Sequence, residues 1–334
     1  MAPMGDILFV KTSSLGDVIH HMPAVTDARR AWPHARLVWM VEEAYVPLVR
    51  LHPGVDEALP VATRRWRGAA LDRRTWREIG ELVRLLRARR FAAVVDAQGL
   101  LRSAALARLA RGPRHGYDRG SIREPLASLF YDVRHAVSRS LHAVERNRRL
   151  AALALGYAPE GPLDYGLSSV RMAATSTPCA VLLHGSARPE KEWPETHWAT
   201  VATMLHRRGL VPVLPWGTAA ERARSERLAA RVPDARVPDR QPLDGVARLI
   251  AGAALAVGLD TGLTHLAAAL GVPLVAIFTA SDPQLTGPVS SAPLAVVGGP
   301  STPPPVEAVV RAIDRVLDRP AAPATAAVRS DGSA

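Results

Sequence analysis

Leu255-Ala256-Val257-Gly258-Leu259-Asp260-Thr261-Gly262-Leu263-Thr264-His265 reads as a buried strand, a tight turn and the start of a helix. The first five residues have the length and apolar character of a strand. Leu266-Ala267-Ala268-Ala269-Leu270 then continues as a helix that stops at Gly271. Such a turn offers free backbone N–H groups and the positive end of a helix dipole, a pairing that suits a phosphate. Asp260 is placed to hold a sugar or ribose hydroxyl, and His265, about one turn into the helix, to face the same ligand. Two readings stand here. In one the turn binds a phosphorylated ligand; in the other Asp260 caps the helix and His265 packs in the core.

On either side of this turn, short apolar runs alternate with helical patterns. Strands are expected at Asp6–Val10, Leu37–Val41, Ala58–Val61 and Ala92–Asp96, with a helix before the last carrying Ile79, Leu82, Val83 and Leu86 on one face. A second series has strands at Ala180–Leu183, Val211–Leu214, Leu255–Val257 and Leu274–Ile277, and helices starting near Pro194, Ala219 and Leu243. This alternation implies parallel sheets with helices on both faces. The Pro-, Gly-, Ser- and Thr-rich stretch 158–178 reads as a linker. The expected fold class is therefore α/β, with two Rossmann-like domains, 1–165 and 166–317, facing one cleft at the carboxyl ends of their strands. Pro303-Pro304-Pro305 precedes a last helix, Val306 to Leu317, and the Ala/Pro/Ser-rich segment 318–334 reads as a disordered tail.

With 334 residues, 48% hydrophobic and 22% charged, the chain is globular and long enough for two cores. Its one cysteine, Cys179, lies in an apolar run, which excludes a disulfide framework or a cysteine metal cluster. Met1–Asp6 lacks the basic and apolar regions of a signal peptide, and no apolar stretch reaches the roughly 20 residues of a membrane span. A cytoplasmic location is expected.

The net charge of +11 is unevenly placed: residues 1–165 hold 26 Lys+Arg against 17 Asp+Glu, residues 166–334 hold 16 against 14. A basic first half implies an anionic partner there, whether nucleic acid, phospholipid headgroups or an acidic glycolipid. Arg64-Arg65-Trp66-Arg67, with Arg73, Arg74 and Arg77, reads as a basic loop region, and Arg119 and Arg123 lie on another. Basic residues interleaved with Trp suit nucleic acid, but no nucleic-acid module accompanies them; a solubilising surface is the plain alternative. Only Lys11 and Lys191 are lysines. In so Arg-biased a chain, they mark places where a compact ammonium is needed and a planar guanidinium does not substitute, unless they survive by chance.

The loop after the first strand, Lys11-Thr12-Ser13-Ser14-Leu15-Gly16-Asp17, lacks Gly-x-Gly-x-x-Gly, which argues against a nicotinamide or flavin enzyme. Ser14-x-x-Asp17 matches a capping box. Asp17 also sits where it can take a proton from an incoming hydroxyl. The helix dipole makes it a weak base, adequate if deprotonation runs late, as the hydroxyl attacks an oxocarbenium-like carbon. Lys191, in the loop His184–Pro194, is placed to neutralise a leaving diphosphate or else is a solvated charge. Glu221, at a helix start, accepts ribose hydroxyls or serves the dipole. No Asp-x-Asp pair or His/Cys/Asp cluster has metal-ligand spacing.

Taken together, these blocks resemble the ADP-heptose:lipopolysaccharide heptosyltransferase family. The matching blocks are Val10–Val18, Val41-Glu42-Glu43, Arg64–Arg67, Val95–Leu100, Arg123–Tyr131, His142–Arg146, Lys191–Pro194, Leu214–Gly217 and Asp260–His265. Arg64–Arg67 and Arg123–Tyr131 point more narrowly to members that add the first heptose than to those adding the second. The resemblance implies a two-domain GT-B glycosyltransferase that inverts the anomeric centre without a metal or other cofactor. The donor implied is ADP-L-glycero-D-manno-heptose, held by the second domain at Ser186, Lys191, Glu221, Asp260, Thr261, Gly262 and His265. The acceptor implied is Kdo2-lipid A, held by the basic first domain with Arg64, Arg65, Arg67 and Arg123 and with Asp17 as base. Peripheral contact with the inner membrane, and no nucleic acid, follow from that acceptor. Two departures stand out: Ala187 follows Ser186 where relatives have a second hydroxyl, and Gln241 stands where a Met often packs near adenine. The alternatives are another ADP-heptose transferase, acting on a second core heptose or a protein, and a non-catalytic nucleotide-sugar or nucleic-acid binding module.

Overall fold

Ile7-Leu8-Phe9-Val10, wholly buried, make up most of β1 (Asp6–Val10), on which the first half is built. The computed structural model describes residues 5–170 and 177–318. After β1 come α1 (Leu15–Ala31), β2 (Leu37–Glu42), α2 (Val46–Val49), β3 (Glu57–Val61) and α3 (Thr63–Gly68). Next are α4 (Arg73–Ala88), β4 (Phe91–Asp96), α5 (Leu101–Leu109), β5 (Arg114–Tyr117), β6 (Val133–His135) and α6 (Ala143–Leu155). The second half has β7 (Cys179–Leu183), α7 (Glu195–Arg207), β8 (Val211–Val213), α8 (Ala219–Ala229) and α9 (Leu243–Ala251). It ends with β9 (Leu255–Leu259), α10 (Gly262–Ala269), β10 (Leu274–Phe278), β11 (Leu294–Gly298) and α11 (Val306–Leu317).

The strands form two sheets, β3-β2-β1-β4-β5-β6 and β11-β10-β9-β7-β8. Every pairing is parallel, so within each sheet all carboxyl ends lie along one edge. The eight expected strands are present. β5, β6 and β11 are not among the expected strands: β5 and β6 are short, carry Arg and His and lack the apolar run that marks a buried strand, whereas β11 does carry an apolar run, Leu294–Val297, at a half-exposed sheet edge.

One expectation is corrected. Arg64–Arg67 and Arg73–Arg77 do not form a basic loop; they lie on α3 and α4. Arginine is a good helix former, and Asp72 caps α4 by accepting from the Arg74 N–H at 2.9 Å, which carries the helix back well before Ile79. The linker and tail expected at 158–178 and 318–334 lie partly or almost wholly outside the described residues. Among the described residues no helix is long and apolar enough to cross a membrane.

Helix α1 is the keystone of the packing. It buries Val18, Ile19, Met22, Val25 and Ala28, lying on α6 of its own lobe and on α10 of the other. The apolar cluster holding Ile7, Phe9 and these residues runs without a break to Val181, Leu183, Ala256 and Leu266 in the second lobe. Each of the larger side chains here, the valines, leucines, isoleucines, Met22 and Phe9, contributes on the order of 1.5–3 kcal/mol when withdrawn from water.

Several histidines are built into this interior. Burial lowers the pKa of His52 and of His184 from 6.5 to about 4, and pushes His20 and His21 well below their ordinary value. The unfolded chain therefore binds more protons between these values and 6.5, so stability is complete above about pH 6.5 and falls as the pH drops toward 4. His52 and His184 alone should each cost about 2 kcal/mol by roughly pH 5. Thermal melting followed from about pH 7.5 to 5 should show the midpoint falling by several degrees; a flat profile would contradict this assignment.

Candidate active site

The two lysines of the chain each meet one of the two aspartates singled out in the sequence. Lys11, buried at the end of β1, lies 3.7 Å from an Asp17 carboxylate oxygen and donates to the Ala97 carbonyl at 2.8 Å. Lys191, at the end of a 3-10 turn (Pro189–Lys191), is ion-paired with Asp260. Asp260 also accepts from the Ser281 hydroxyl, and His265 Nε2 lies 3.6 Å from its other oxygen. Burial pushes the Asp260 carboxyl up, but contacts from His265, Lys191 and Ser281 prevail and hold it far below the usual carboxylate range.

Asp17 closes the helix cap that the sequence suggests and keeps an open face to the cleft. Its Oδ2 accepts from the Ser14 N–H at 2.9 Å and the Ser14 hydroxyl at 3.0 Å, closing the capping box of α1. Its side chain nevertheless remains 37% exposed at the carboxyl edge of the first sheet. Burial raises its pKa, while the Lys11 ammonium and the Ser14 hydrogen bonds lower it, and the lowering wins.

The first turns of α1 and α10 meet head to head, one from each lobe. A Cβ on Gly262 would lie 2.6 Å from Leu15 Cβ, and one on Gly16 would lie 3.2 Å from the His265 ring. Glycine at these positions permits the approach. His20 Nε2 and His265 Nδ1 are 3.3 Å apart, so α1 and α10 are also joined by a buried polar contact. In the tautomer that carries its hydrogen on Nε2, facing Asp260, His265 accepts from His20 at Nδ1. The Asp260 turn and the Asp17 loop thus face one cleft, with two positive helix ends converging on it.

Beside this junction lies a cavity of about 710 Å³. Glu43, Ala44, Tyr45 and Leu15 wall it from the first lobe; Leu183, Gly185, Trp216, Glu221, Gln241 and Pro242 are among those facing them from the second. The walls are largely apolar, which suits a purine ring, with a few polar groups at fixed places. Glu221 caps α8 through Oε2, which accepts from Gly217 and Thr218 N–H at 2.8 and 2.9 Å. Its Oε1 stays in the cavity, close enough to Gly185 that a Cβ there would lie 2.6 Å away. Glu221 can therefore cap a helix and accept a ribose hydroxyl at once.

The other expected site residues are placed as follows. Thr261 is the N-cap of α10 and Gly262 its first residue. Ser186 sits in the loop after β7 and exchanges hydrogen bonds of 3.1 Å with the Arg188 backbone. Arg64, Arg65 and Arg67 are exposed on α3 and Arg123 is exposed at the entrance to a 3-10 turn (Pro125–Phe130). Arg65 is gripped by Glu43, through Nε at 3.1 Å and Nη2 at 3.0 Å, and by Glu78 at 2.9 Å. Arg64 and Arg67 are the freer cations of that helix.

Sequence reasoning misses the group that holds the Asp17 loop in place. Asp96, buried at the end of β4, accepts from Tyr131 Oη and Ser103 Oγ at 2.8 Å each and from the Gln98 and Gly99 N–H groups at 2.9 and 3.3 Å. Gln98 Oε1 in turn accepts from Thr12 and Ser13 N–H at 3.1 and 3.2 Å. Gly116 leaves the space Tyr131 needs: a Cβ there would be 2.2 Å from the ring. An acid at a strand end in the run Asp96-Ala97-Gln98-Gly99 is the signal that was available.

The model of Glycosyltransferase family 9 (heptosyltransferase) matches residues 79–305. The chain is 46% identical over 288 residues to lipopolysaccharide heptosyltransferase 1 of Pseudomonas aeruginosa, covering 84% of this chain and 80% of that one. It is 44% identical over 286 residues to the protein of the same name from Salmonella typhimurium, covering 84% and 90%. Among solved structures, the Escherichia coli heptosyltransferase WaaC with ADP superposes with a TM-score of 0.88 at 39% identity, covering 93% of this chain and 99% of that one. The two-lobed α/β GT-B architecture is common to both. The E. coli ADP-heptose heptosyltransferase II, at 22% identity and a TM-score of 0.75 over 93% and 98% of the chains, shares the fold.

Proposed function

The chain belongs to glycosyltransferase family 9, the heptosyltransferases, and on that premise we propose that it transfers L-glycero-D-manno-heptose from ADP-heptose to Kdo2-lipid A, the first heptose of the lipopolysaccharide inner core. The observation that carries this reading is the head-to-head meeting of α1 and α10, which sets Asp17 of one lobe across the cleft from the Lys191–Asp260–His265 group of the other. Relatives named lipopolysaccharide heptosyltransferase 1, and a similar structure titled with ADP-2-deoxy-2-fluoro heptose, support the same donor and step. In this reading segment 1–165 receives the acceptor and segment 166–317 the donor. Work on a lipid-linked acceptor places the enzyme at the cytoplasmic face of the inner membrane, in peripheral contact with it.

The chemistry follows from the groups at the cleft. Adenine enters the apolar cavity with Glu221 at the ribose, and the diphosphate lies toward Lys191 and the amides that open α10. The acceptor hydroxyl oxygen bonds to the anomeric carbon as that carbon's bond to the diphosphate oxygen breaks, inverting the centre. The hydroxyl proton passes to Asp17, and the electron pair leaves with ADP. Asp17 is a weak base, so proton transfer comes late, once the attacking oxygen has gained positive character. Arg64, Arg67 and Arg123, with Arg65 bracing α3, offer charge to the acidic acceptor.

Purified protein given ADP-heptose should release ADP with Kdo2-lipid A as acceptor, and far less with an already heptosylated core or a protein. Folded protein that is silent with Kdo2-lipid A, or that prefers another acceptor, would overturn the assignment.

A further inference from the structure

Leu71, in the turn between α3 and α4, is 99% exposed, and Trp76, in the first turn of α4, is 63% exposed. The Trp76 indole N–H donates to the Ala70 carbonyl at 2.8 Å, which holds the ring against this turn. Its only polar atom is thus satisfied within the chain, and the ring can leave water without orphaning a donor. Ala69, half-buried, and Ala70, exposed, extend this apolar tip. A single exposed leucine is ordinary; a tryptophan and a leucine together on a protruding turn are not.

The charge around the tip is one-sided. Arg67, Arg73 and Arg77 are exposed and make no ion pair among the described residues. Of the nearby acids, Asp72 caps α4 and Glu78 is bound by Trp66, Arg65 and Arg74, which leaves the exposed Glu81 against the guanidinium groups of Arg67, Arg73 and Arg77 and the balance positive. An aromatic and an aliphatic side chain ringed by free guanidinium groups match the headgroup layer of an anionic bilayer, where indole rings settle and basic residues meet lipid phosphates. The turn also has the right place. It follows the carboxyl end of β3, as Arg119 and Arg123 follow that of β5, so in a parallel sheet both lie on the cleft side.

We propose that the α3–α4 turn docks this protein on an anionic lipid bilayer, with Leu71 and Trp76 entering the headgroup region and Arg67, Arg73 and Arg77 pairing with lipid phosphates. The proposal gives a surface to the membrane contact described above and rests on that reading for its purpose, but its test is independent of heptose transfer.

Full-length protein is floated with vesicles of phosphatidylcholine alone and of phosphatidylcholine mixed with phosphatidylglycerol. The parent should bind the mixed vesicles and leave the neutral ones largely bare. The variant Leu71→Ser/Trp76→Ser should bind the mixed vesicles at least about tenfold more weakly. Arg73→Ala/Arg77→Ala should lose about fivefold per arginine and flatten the salt dependence. All four side chains are exposed, so melting temperatures, and ADP release with a deacylated acceptor, should match the parent. Equal vesicle binding by parent and variants overturns the proposal, as does equal binding to neutral and anionic vesicles. Parent protein that ignores vesicles yet releases ADP normally overturns the docking surface alone. Vesicle binding that depends on these residues, without ADP release, upholds the surface and overturns the transferase reading alone.

Discussion

Asp17→Ala should lower heptose transfer by about 10²–10⁴-fold while ADP-heptose binds within a few-fold of the parent. On the proposed reading the carboxylate takes the acceptor's proton, whereas the donor contacts argued above come mainly from the second lobe. Asp17 also closes a capping box and lies beside a buried ammonium, so its loss costs stability too, about 1 kcal/mol for the cap. Asp17→Asn separates the effects: its amide oxygen can still accept from Ser14 but is too weak a base. Turnover by single-turnover assay should fall in both variants, and donor titration should change little in either. An Asn variant that turns over like the parent sinks the base assignment.

The second large effect is expected at Lys191. Lys191→Ala should weaken ADP-heptose binding by about 1.5–3 kcal/mol, roughly 10- to 150-fold, and leave acceptor binding almost unchanged. Two causes act together. A charge facing the diphosphate disappears, and Asp260, whose carboxyl is held far below the usual range, is left anionic beside the incoming phosphates with one partner fewer. Adding Asp260→Asn to Lys191→Ala should therefore recover part of the loss. Lys191→Arg should recover less than charge alone suggests, since a planar guanidinium fits poorly where a compact ammonium touches both a carboxylate and the Asp260 carbonyl region. Calorimetric titrations that coincide for parent and Lys191→Ala would refute the role.

The parallel sheets were open to sequence reasoning because their strands are apolar on both faces and bounded by turn residues; Leu255–Leu259 and Leu274–Phe278 are instances. The turn at Asp260 was legible because only Asp260 and Thr261 join the apolar strand to its helix. β5 was not, since Arg114-His115-Gly116-Tyr117 looks like a surface loop until Tyr131 is known to cover Gly116. The arginine-rich stretch after β3 read as a loop because its helices are made by a cap and by ion pairs to Glu43 and Glu78, partners that sequence spacing does not announce. At the site, residue types were legible and partnerships were not. Nothing in the spacing says that Lys11 belongs to Asp17 and Lys191 to Asp260, or that His20 reaches His265 across 245 residues. Such pairings are made by the fold, not by the neighbourhood in the chain.

The contact between Leu15 and Gly262 carries a consequence for how this protein can change. Any side chain at 262 would collide with the leucine, so bulk introduced at one position demands bulk removed at the other. Two letters nearly 250 codons apart are therefore bound to drift as a pair, and the lineage can explore new residues there only by compensated steps.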